Sequence, residues 1–389
     1  MTQNATKTIT VLGATGSVGL STLDLVRRAP EEFRVVALTA NSRVQELAAL
    51  AKEFRPAVAV IGRQDKYPEL KDALAGTGIE CAAGDEALAC AAAMTADIVM
   101  AAIVGAAGLA PTLAAVRTGT TVALANKECL VCAGDLMMQE VSKHGARLLP
   151  VDSEHNAIFQ VFDVNHTNTV KRLVLTASGG PFLRRNSATF STIKPSEAVA
   201  HPNWDMGAKI SVDSATMMNK GLEVIEAFHL FPVEKDQIDI LIHPQSVIHS
   251  MVEYIDGSTL AQLGSPDMRV PIASCLAWPD RMQTPARRLD LAAIGSLTFE
   301  RPDYEKFKCM ALAKAALNIG GAAPAVLNAA NEVAVAAFLS EQIAFTDIPE
   351  IVEQTLHKCD MKEPHSLPNV IEIDVEARRV AVSQIAQLK

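Results

Sequence analysis

At 389 residues the chain is too long for one ordinary core, and its length predicts two or three domains. Hydrophobic residues make up 49%, charged ones 20%, and the formal net charge is −9, a balance that fits a globular protein and excludes the basic footprint of a nucleic-acid binder. No secretory leader is legible in the first eight residues, the most apolar stretch (98–108) is too short for a membrane span, and seven scattered cysteines suit free thiols, so a cytoplasmic protein without a membrane partner is expected.

In chain order, Thr8-Ile-Thr-Val-Leu12 predicts a strand that enters Gly13-Ala-Thr15-Gly16-Ser17-Val18-Gly19 and then an amphipathic helix to about Arg28. Strand, glycine turn and helix together form a dinucleotide fingerprint, because glycines allow backbone amides to approach a pyrophosphate at a helix N-terminus. A second strand, Phe33 to Leu38, ends in Thr39-Ala40-Asn41-Ser42-Arg43, where an NAD site would place an acid for the ribose 2′-hydroxyl. No acid stands there. Ser42 and Arg43 suit a 2′-phosphate, which favours NADPH over the alternative that Arg43 is a solvated first-turn residue.

Further strands are expected at 57–61, 97–103, 121–125 and 146–151, separated by helix-length segments, the pattern of a doubly wound parallel sheet. The last two end in Asn126-Lys127-Glu128 and Asp152-Ser153-Glu154, on the sheet edge that also carries the glycine turn. Cys129-Leu-Val-Cys132 lacks a second pair or nearby histidines and reads as structural.

After Phe162 the rhythm changes. A strand, 173–177, leads into Ser178-Gly-Gly-Pro-Phe182, a small-residue loop suited to an anion, followed by His201-Pro-Asn-Trp204-Asp-Met-Gly207, where tryptophan between Pro202 and Gly207 suggests a cover. Strands at 238–242, 247–254 and 259–263 predict a second sheet, 263–268 a further loop, 279–302 a linker, and the chain from Met310 onward a helical bundle with a structural role.

Two polar clusters carry the chemistry. Asp152 and Glu154, two apart beyond a strand end, would project to one side and share a hard cation or a polar substrate; a further carboxylate lies in Ser211-Val-Asp213-Ser214-Ala-Thr-Met-Met-Asn219-Lys220-Gly-Leu-Glu223. Either piece alone also fits a loop with capping residues.

Together, the Gly13–Gly19 turn, Ala125-Asn-Lys-Glu128, Leu149-Pro-Val-Asp-Ser-Glu-His-Asn156, Ser178-Gly-Gly-Pro-Phe182, His201-Pro-Asn-Trp204, the 211–223 segment and His243-Pro-Gln-Ser-Val-Ile-His-Ser250 closely resemble the 1-deoxy-D-xylulose 5-phosphate reductoisomerase family, in the same order through nearly the whole chain. The resemblance implies an NADPH-dependent enzyme that rearranges 1-deoxy-D-xylulose 5-phosphate and reduces the product to 2-C-methyl-D-erythritol 4-phosphate. It implies Asp152, Glu154 and Glu223 as ligands of Mg²⁺, Mn²⁺ or Co²⁺, with Lys127, Ser153, His201, Trp204 and Met268 lining the substrate and Ser178, Ser214, Asn219 and Lys220 gripping its phosphate. Thr15, Gly16, Ser17, Val18, Ser42, Arg43, Asn126, Glu128 and Gly207 would face the cofactor, although the family pattern has glycine and lysine where this chain has Asn41 and Ser42. Lys127, Asp152, Glu154, His201 and Glu223 are the implied catalytic set.

The implied α/β organisation is a Rossmann-like domain (1–151), a catalytic and dimerisation α+β domain with a lid loop (152–284), a linker (285–311) and a C-terminal helical domain (312–389), assembled as a homodimer. Two other readings fit part of the pattern. A semialdehyde-type dehydrogenase would need Cys129 or Cys132 as nucleophile, and a non-catalytic NADPH sensor would leave the three carboxylates unexplained.

Overall fold

A computed structural model describes residues 6–204 and 206–388. The chain opens with alternating strands and helices: β1 (Lys7–Leu12), α1 (Ser17–Arg28), β2 (Phe33–Ala40), α2 (Val44–Phe54), β3 (Val58–Ile61), α3 (Tyr67–Ala73), β4 (Glu80–Ala83), α4 (Asp85–Ala92), β5 (Ile98–Ala101), α5 (Leu109–Arg117), β6 (Thr121–Leu124), α6 (Glu128–His144) and β7 (Arg147–Pro150). There follow α7 (Ser153–Val161), β8 (Val170–Ala177), α8 (Pro195–Ala198), α9 (Ala208–Ala215), α10 (Met218–Leu230), β9 (Ile238–Ile242), β10 (Ile248–Tyr254) and β11 (Thr259–Leu263). Helices take the remainder: α11 (Arg269–Ala277), α12 (Leu291–Ile294), α13 (Lys308–Ile319), α14 (Ala323–Leu339), α15 (Asp347–Lys358) and α16 (Leu367–Gln387). The described residues fall into two compact units, 6–129 with 137–156 and 268–286, and 130–136 with 157–267 and 287–388.

The first unit is built on a parallel sheet of order β4-β3-β2-β1-β5-β6-β7. Its inner strands are buried on both faces, so they read as continuous apolar runs such as Val58-Ala-Val-Ile61, all four buried. Strand order reverses between β1 and β5, which makes the carboxyl end of β1 the topological switch point. The glycine turn begins there. Six of the strands follow the sequence expectation; β4 was not expected, because Glu80-Cys-Ala-Ala83 is short, lacks β-branched residues and forms an edge. Pro150 is tolerated in β7 because β7 is the opposite edge. Residues 268–286 return to this unit, where Lys7 Nζ donates to the carbonyls of Leu276, Ala277 and Trp278 at 3.1–3.2 Å and so caps the C-terminal end of α11.

The second unit holds a mixed sheet of order β11-β10-β8-β9, with β8 and β9 parallel and the other pairs antiparallel. One face of β8 shares a core with α10 and α13–α15, centred on Phe182, Phe190, Phe307, Phe338 and Phe345, whose rings meet at 5.3–6.1 Å. The expected linker stretch holds only α12 and a backbone bridge between Ile242 and Glu300.

Candidate active site

The glycine turn is fixed by backbone crowding. Gly13 has φ 78°, and a Cβ there would lie 2.6 Å from the carbonyl oxygen of Ala102, so no other residue fits without displacement. Gly16 is the N-cap of α1, whose first turn holds no acid while its last turn holds Arg27 and Arg28. The helix therefore presents an uncompensated positive end beside exposed Gly16 and Ser17, half-buried Val18 and buried Thr15. Arg43 stands at the N-cap of α2 and is exposed beside exposed Ser42; its guanidinium donates to the Thr15 carbonyl at 3.1 Å. That bond holds a cation against the turn.

Asn126 is buried and wholly engaged: its amide nitrogen donates to the carbonyls of Ile103 and Gly105, and its oxygen accepts from the Cys129 N–H at 3.1 Å. It ties the loop after β5 to the start of α6, so it shapes this edge through the backbone. Glu128 opens α6 and is buried.

Lys127 and Asp152 follow the neighbouring strands β6 and β7, and pairing of those strands brings them together. Lys127 Nζ lies 2.8 Å from Asp152 Oδ2, both side chains being largely buried, which makes a short charge-assisted bond. Beyond Asp152 the chain turns helical, a departure from the extended spacing expected. Asp152 occupies the N-cap position of α7: its carbonyl accepts from Asn156 N–H at 2.8 Å and its Oδ1 from Glu154 N–H at 3.1 Å. Glu154 thus lies in the first turn, and Ser153 Oγ donates to its carboxylate at 2.6 Å. Two acids and a hydroxyl are held together by helix capping. Met268, half-buried, is the N-cap of α11 in the same unit.

In the second unit, the polar segment 211–223, for which a loop with capping residues was the alternative reading, falls on α9 and α10, joined through Met217 at φ 63°. Glu223 is buried and accepts from Lys220 Nζ and from Asn219 Nδ2, the latter at 2.5 Å. The i, i+3 and i, i+4 spacing of a helix gathers these three polar groups on one face. Ser214, half-buried, lies on the last turn of α9. Gly180 approaches it closely, since a Cβ on Gly180 would sit 2.5 Å from the Ser214 carbonyl oxygen.

His201 organises the loop before α9. Its Nδ1 accepts the backbone N–H of Asn203 at 3.2 Å and of Trp204 at 3.0 Å, which leaves Nε2 protonated to donate to Ser178 Oγ at 3.0 Å. Burial lowers the His201 pKa, in keeping with that neutral tautomer. Ser178 Oγ also accepts from Gly180 N–H at 3.2 Å, so its own proton remains to be given to a bound anion. Asn203 pins the loop to Pro244 and Ser246, and Gly207, exposed, starts α9. Trp204 is half-buried, with its ring 6.1 Å from that of His249. Asp205 lies outside the described residues.

Two histidines were given no role by the sequence reading. His155 is fully buried with Nδ1 3.5 Å from Asp152 Oδ1, and His249 is buried beside Trp204 with its pKa lowered to about 4, chiefly by desolvation. Both lie within the motifs at 149–156 and 243–250, but sequence alone does not distinguish a ligand-contacting histidine there from a packed one. The cysteines of the CxxC are both buried, and Cys132 Sγ accepts from Asn328, which removes the exposed nucleophile that a semialdehyde-type dehydrogenase would need.

Residues 9–134 match a family model described as 1-deoxy-D-xylulose 5-phosphate reductoisomerase, residues 148–231 the C-terminal domain of that enzyme, and residues 263–380 a DXP reductoisomerase C-terminal domain. The 1-deoxy-D-xylulose 5-phosphate reductoisomerase of Rhodospirillum centenum is 60% identical over 98% of this chain and 94% of its own, and that of Zymomonas mobilis 57% identical over 98% of each. Among solved structures, the Zymomonas mobilis enzyme in complex with NADPH aligns with a TM-score of 0.93 at 56% identity, covering 98% of this chain and 99% of that one. A DOX-P reductoisomerase in complex with NADPH, fosmidomycin and magnesium gives 0.93 at 46% identity over the same shares.

Proposed function

The chain belongs to the 1-deoxy-D-xylulose 5-phosphate reductoisomerase family, and on that premise we propose how its residues carry the activity. It converts 1-deoxy-D-xylulose 5-phosphate to 2-C-methyl-D-erythritol 4-phosphate with NADPH and a divalent cation. The observation that carries the division of labour is the Lys127–Asp152 pair, 2.8 Å apart on the sheet edge that also carries the glycine turn.

The turn fits NADPH: Gly13 keeps the backbone close, α1 offers its positive end, and Arg43, held at Thr15, supplies charge for the 2′-phosphate with Ser42 beside it. Thr15 to Val18, Asn126, Glu128 and Gly207 complete the proposed cofactor set. Asp152, Glu154 and Glu223 fit a hard cation, being carboxylates already surrounded by hydrogen-bond donors that hold their orientation. NADPH supplies a hydride, and the cation supplies positive charge toward the substrate oxygens as the carbon skeleton rearranges.

The protein's own groups bind and orient. Ser178, Ser214, Asn219 and Lys220 hold the phosphate; Ser178 donates its hydroxyl proton because His201 and Gly180 occupy its lone pairs. Lys127, Ser153, His201 and Met268 line the sugar. Trp204, on the loop pinned by Asn203, serves as a lid that excludes water. The finer assignments belong to the same proposal: Mg²⁺, Mn²⁺ or Co²⁺ as the metal, a cytoplasmic location suggested by seven free thiols, and the domain limits given above. A homodimer is supported by Leu260 and Leu263, exposed by 49% and 37% on edge strand β11. Among the described residues, no helix is long and apolar enough to cross a membrane.

The test is NADPH oxidation driven by 1-deoxy-D-xylulose 5-phosphate. Chelated protein should be inactive and Mg²⁺ should restore it; full turnover by the metal-free protein would overturn the metal assignment.

A further inference from the structure

We propose that Asn331, in the middle of α14, is a positioning residue for the phosphate end of the site, acting through Asp213 on Ser214. This rests on the reading of Ser214 as a phosphate ligand. The C-terminal helices otherwise read as packing, and α14 is apolar and buried on most of its surface. A wholly buried amide in such a helix costs stability unless it does something specific.

Its partner is Asp213, 1% exposed, whose Oδ1 accepts from Asn331 Nδ2 at 2.7 Å and whose Oδ2 lies 2.9 Å from Lys209 Nζ. The amide orientation is fixed, because only nitrogen can face the carboxylate, and among the described residues Asn331 Oδ1 has no hydrogen-bond partner. A buried group left half-satisfied is poor value for stability alone. It does, however, fix the rotation of α9 about its axis.

That rotation matters locally. Ser214 follows Asp213, about 100° round the helix. The Ser214 carbonyl abuts the Gly180 backbone so closely that a Cβ would not fit, and Ser178 lies two residues before that contact. Thr216 and Met217 alone separate α9 from α10, which carries Asn219 and Lys220. Turning α9 would therefore shift Ser214 against Ser178 on one side and against Asn219 and Lys220 on the other. Asn331 prevents that turn.

Steady-state kinetics of the full-length, Mg²⁺-loaded protein test this. Asn331→Leu keeps volume and removes the donor; Asn331→Ser keeps polarity but is too short to reach. Both should raise KM for 1-deoxy-D-xylulose 5-phosphate about tenfold, leaving KM for NADPH within about twofold and kcat within about threefold. Leu327→Ala, a core truncation on the same helix, should lower Tm without moving that KM. Asn331→Leu combined with Ser214→Ala should be no worse than Ser214→Ala alone, because one acts through the other. If Ser214→Ala raises KM while neither Asn331 variant does, or if the double variant is additive, the positioning role is overturned and the phosphate reading stands. If Ser214→Ala leaves KM unchanged, the phosphate reading itself fails and the inference with it. Should Asn331→Leu not fold, the Asn331→Ser result decides.

Discussion

The two units hold the groups proposed to meet ligands by opposite means. In the first, the geometry is set by backbone: Gly13 is forced by the Ala102 carbonyl, the positive end of α1 is a property of helix polarity, and Asp152 is placed by capping α7. In the second, side chains hold side chains: His201 orients Ser178, Lys220 and Asn219 flank Glu223, and Asn331 holds Asp213. Backbone-set sites lose function mainly when the chain cannot adopt its path. Side-chain networks answer to protonation and to single truncations.

The largest expected contrast is in pH. His249 has its pKa lowered to about 4 by burial, so between roughly pH 6.5 and 4 the unfolded chain takes up a proton that the folded one refuses. Stability therefore falls as pH falls through that window, by roughly 3 kcal/mol for this one residue. His249→Gln should flatten the slope in denaturant titrations at several pH values, and an unchanged slope would show that the second unit's network is not pH-sensitive there. Next comes Arg43→Ala, which removes a charge-dependent contact on the backbone-set side. A charge-assisted bond is worth about 1.5–3 kcal/mol, so NADPH binding should weaken roughly ten- to a hundredfold and NADH binding much less, as measured by fluorescence titration. Equal loss for both cofactors would make Arg43 a support for Thr15 only. The smallest is Trp204→Ala, expected to raise KM for the sugar phosphate up to about tenfold with little change in Tm, since its ring is half-buried. Trp278, whose ring lies 4.2 Å from the Arg147 guanidinium in the first unit, is the control for intrinsic fluorescence. A Trp204 variant with wild-type turnover and several degrees lost would be a packing mutant.

The same contrast explains what the sequence reveals. Glycines at 13, 16 and 19 and the apolar runs of β1–β3 and β5–β7 are local signals, so the first sheet and its turn are readable directly. β4 is not, because its small residues carry no strand preference. The second unit's hydrogen bonds join residues far apart in sequence, such as Asp213 with Asn331 and Asn203 with Pro244, and no local period encodes them. There the site residues were named through family motifs. His249, although inside the 243–250 motif, and Asn331, in the C-terminal helices, carry no legible role in sequence, and theirs emerges only from burial and partners.

The central proposal is that Asp152, Glu154 and Glu223 are the ligands of one divalent cation. Mn²⁺ binding to the chelated protein, followed by electron paramagnetic resonance, tests it most directly. One Mn²⁺ per chain should bind, and Asp152→Asn and Glu223→Gln should each weaken that binding by at least about tenfold, with NADPH affinity kept. If Glu223→Gln binds Mn²⁺ as tightly as the unaltered protein while Asp152→Asn does not, Glu223 is not a ligand and the three-carboxylate assignment is wrong.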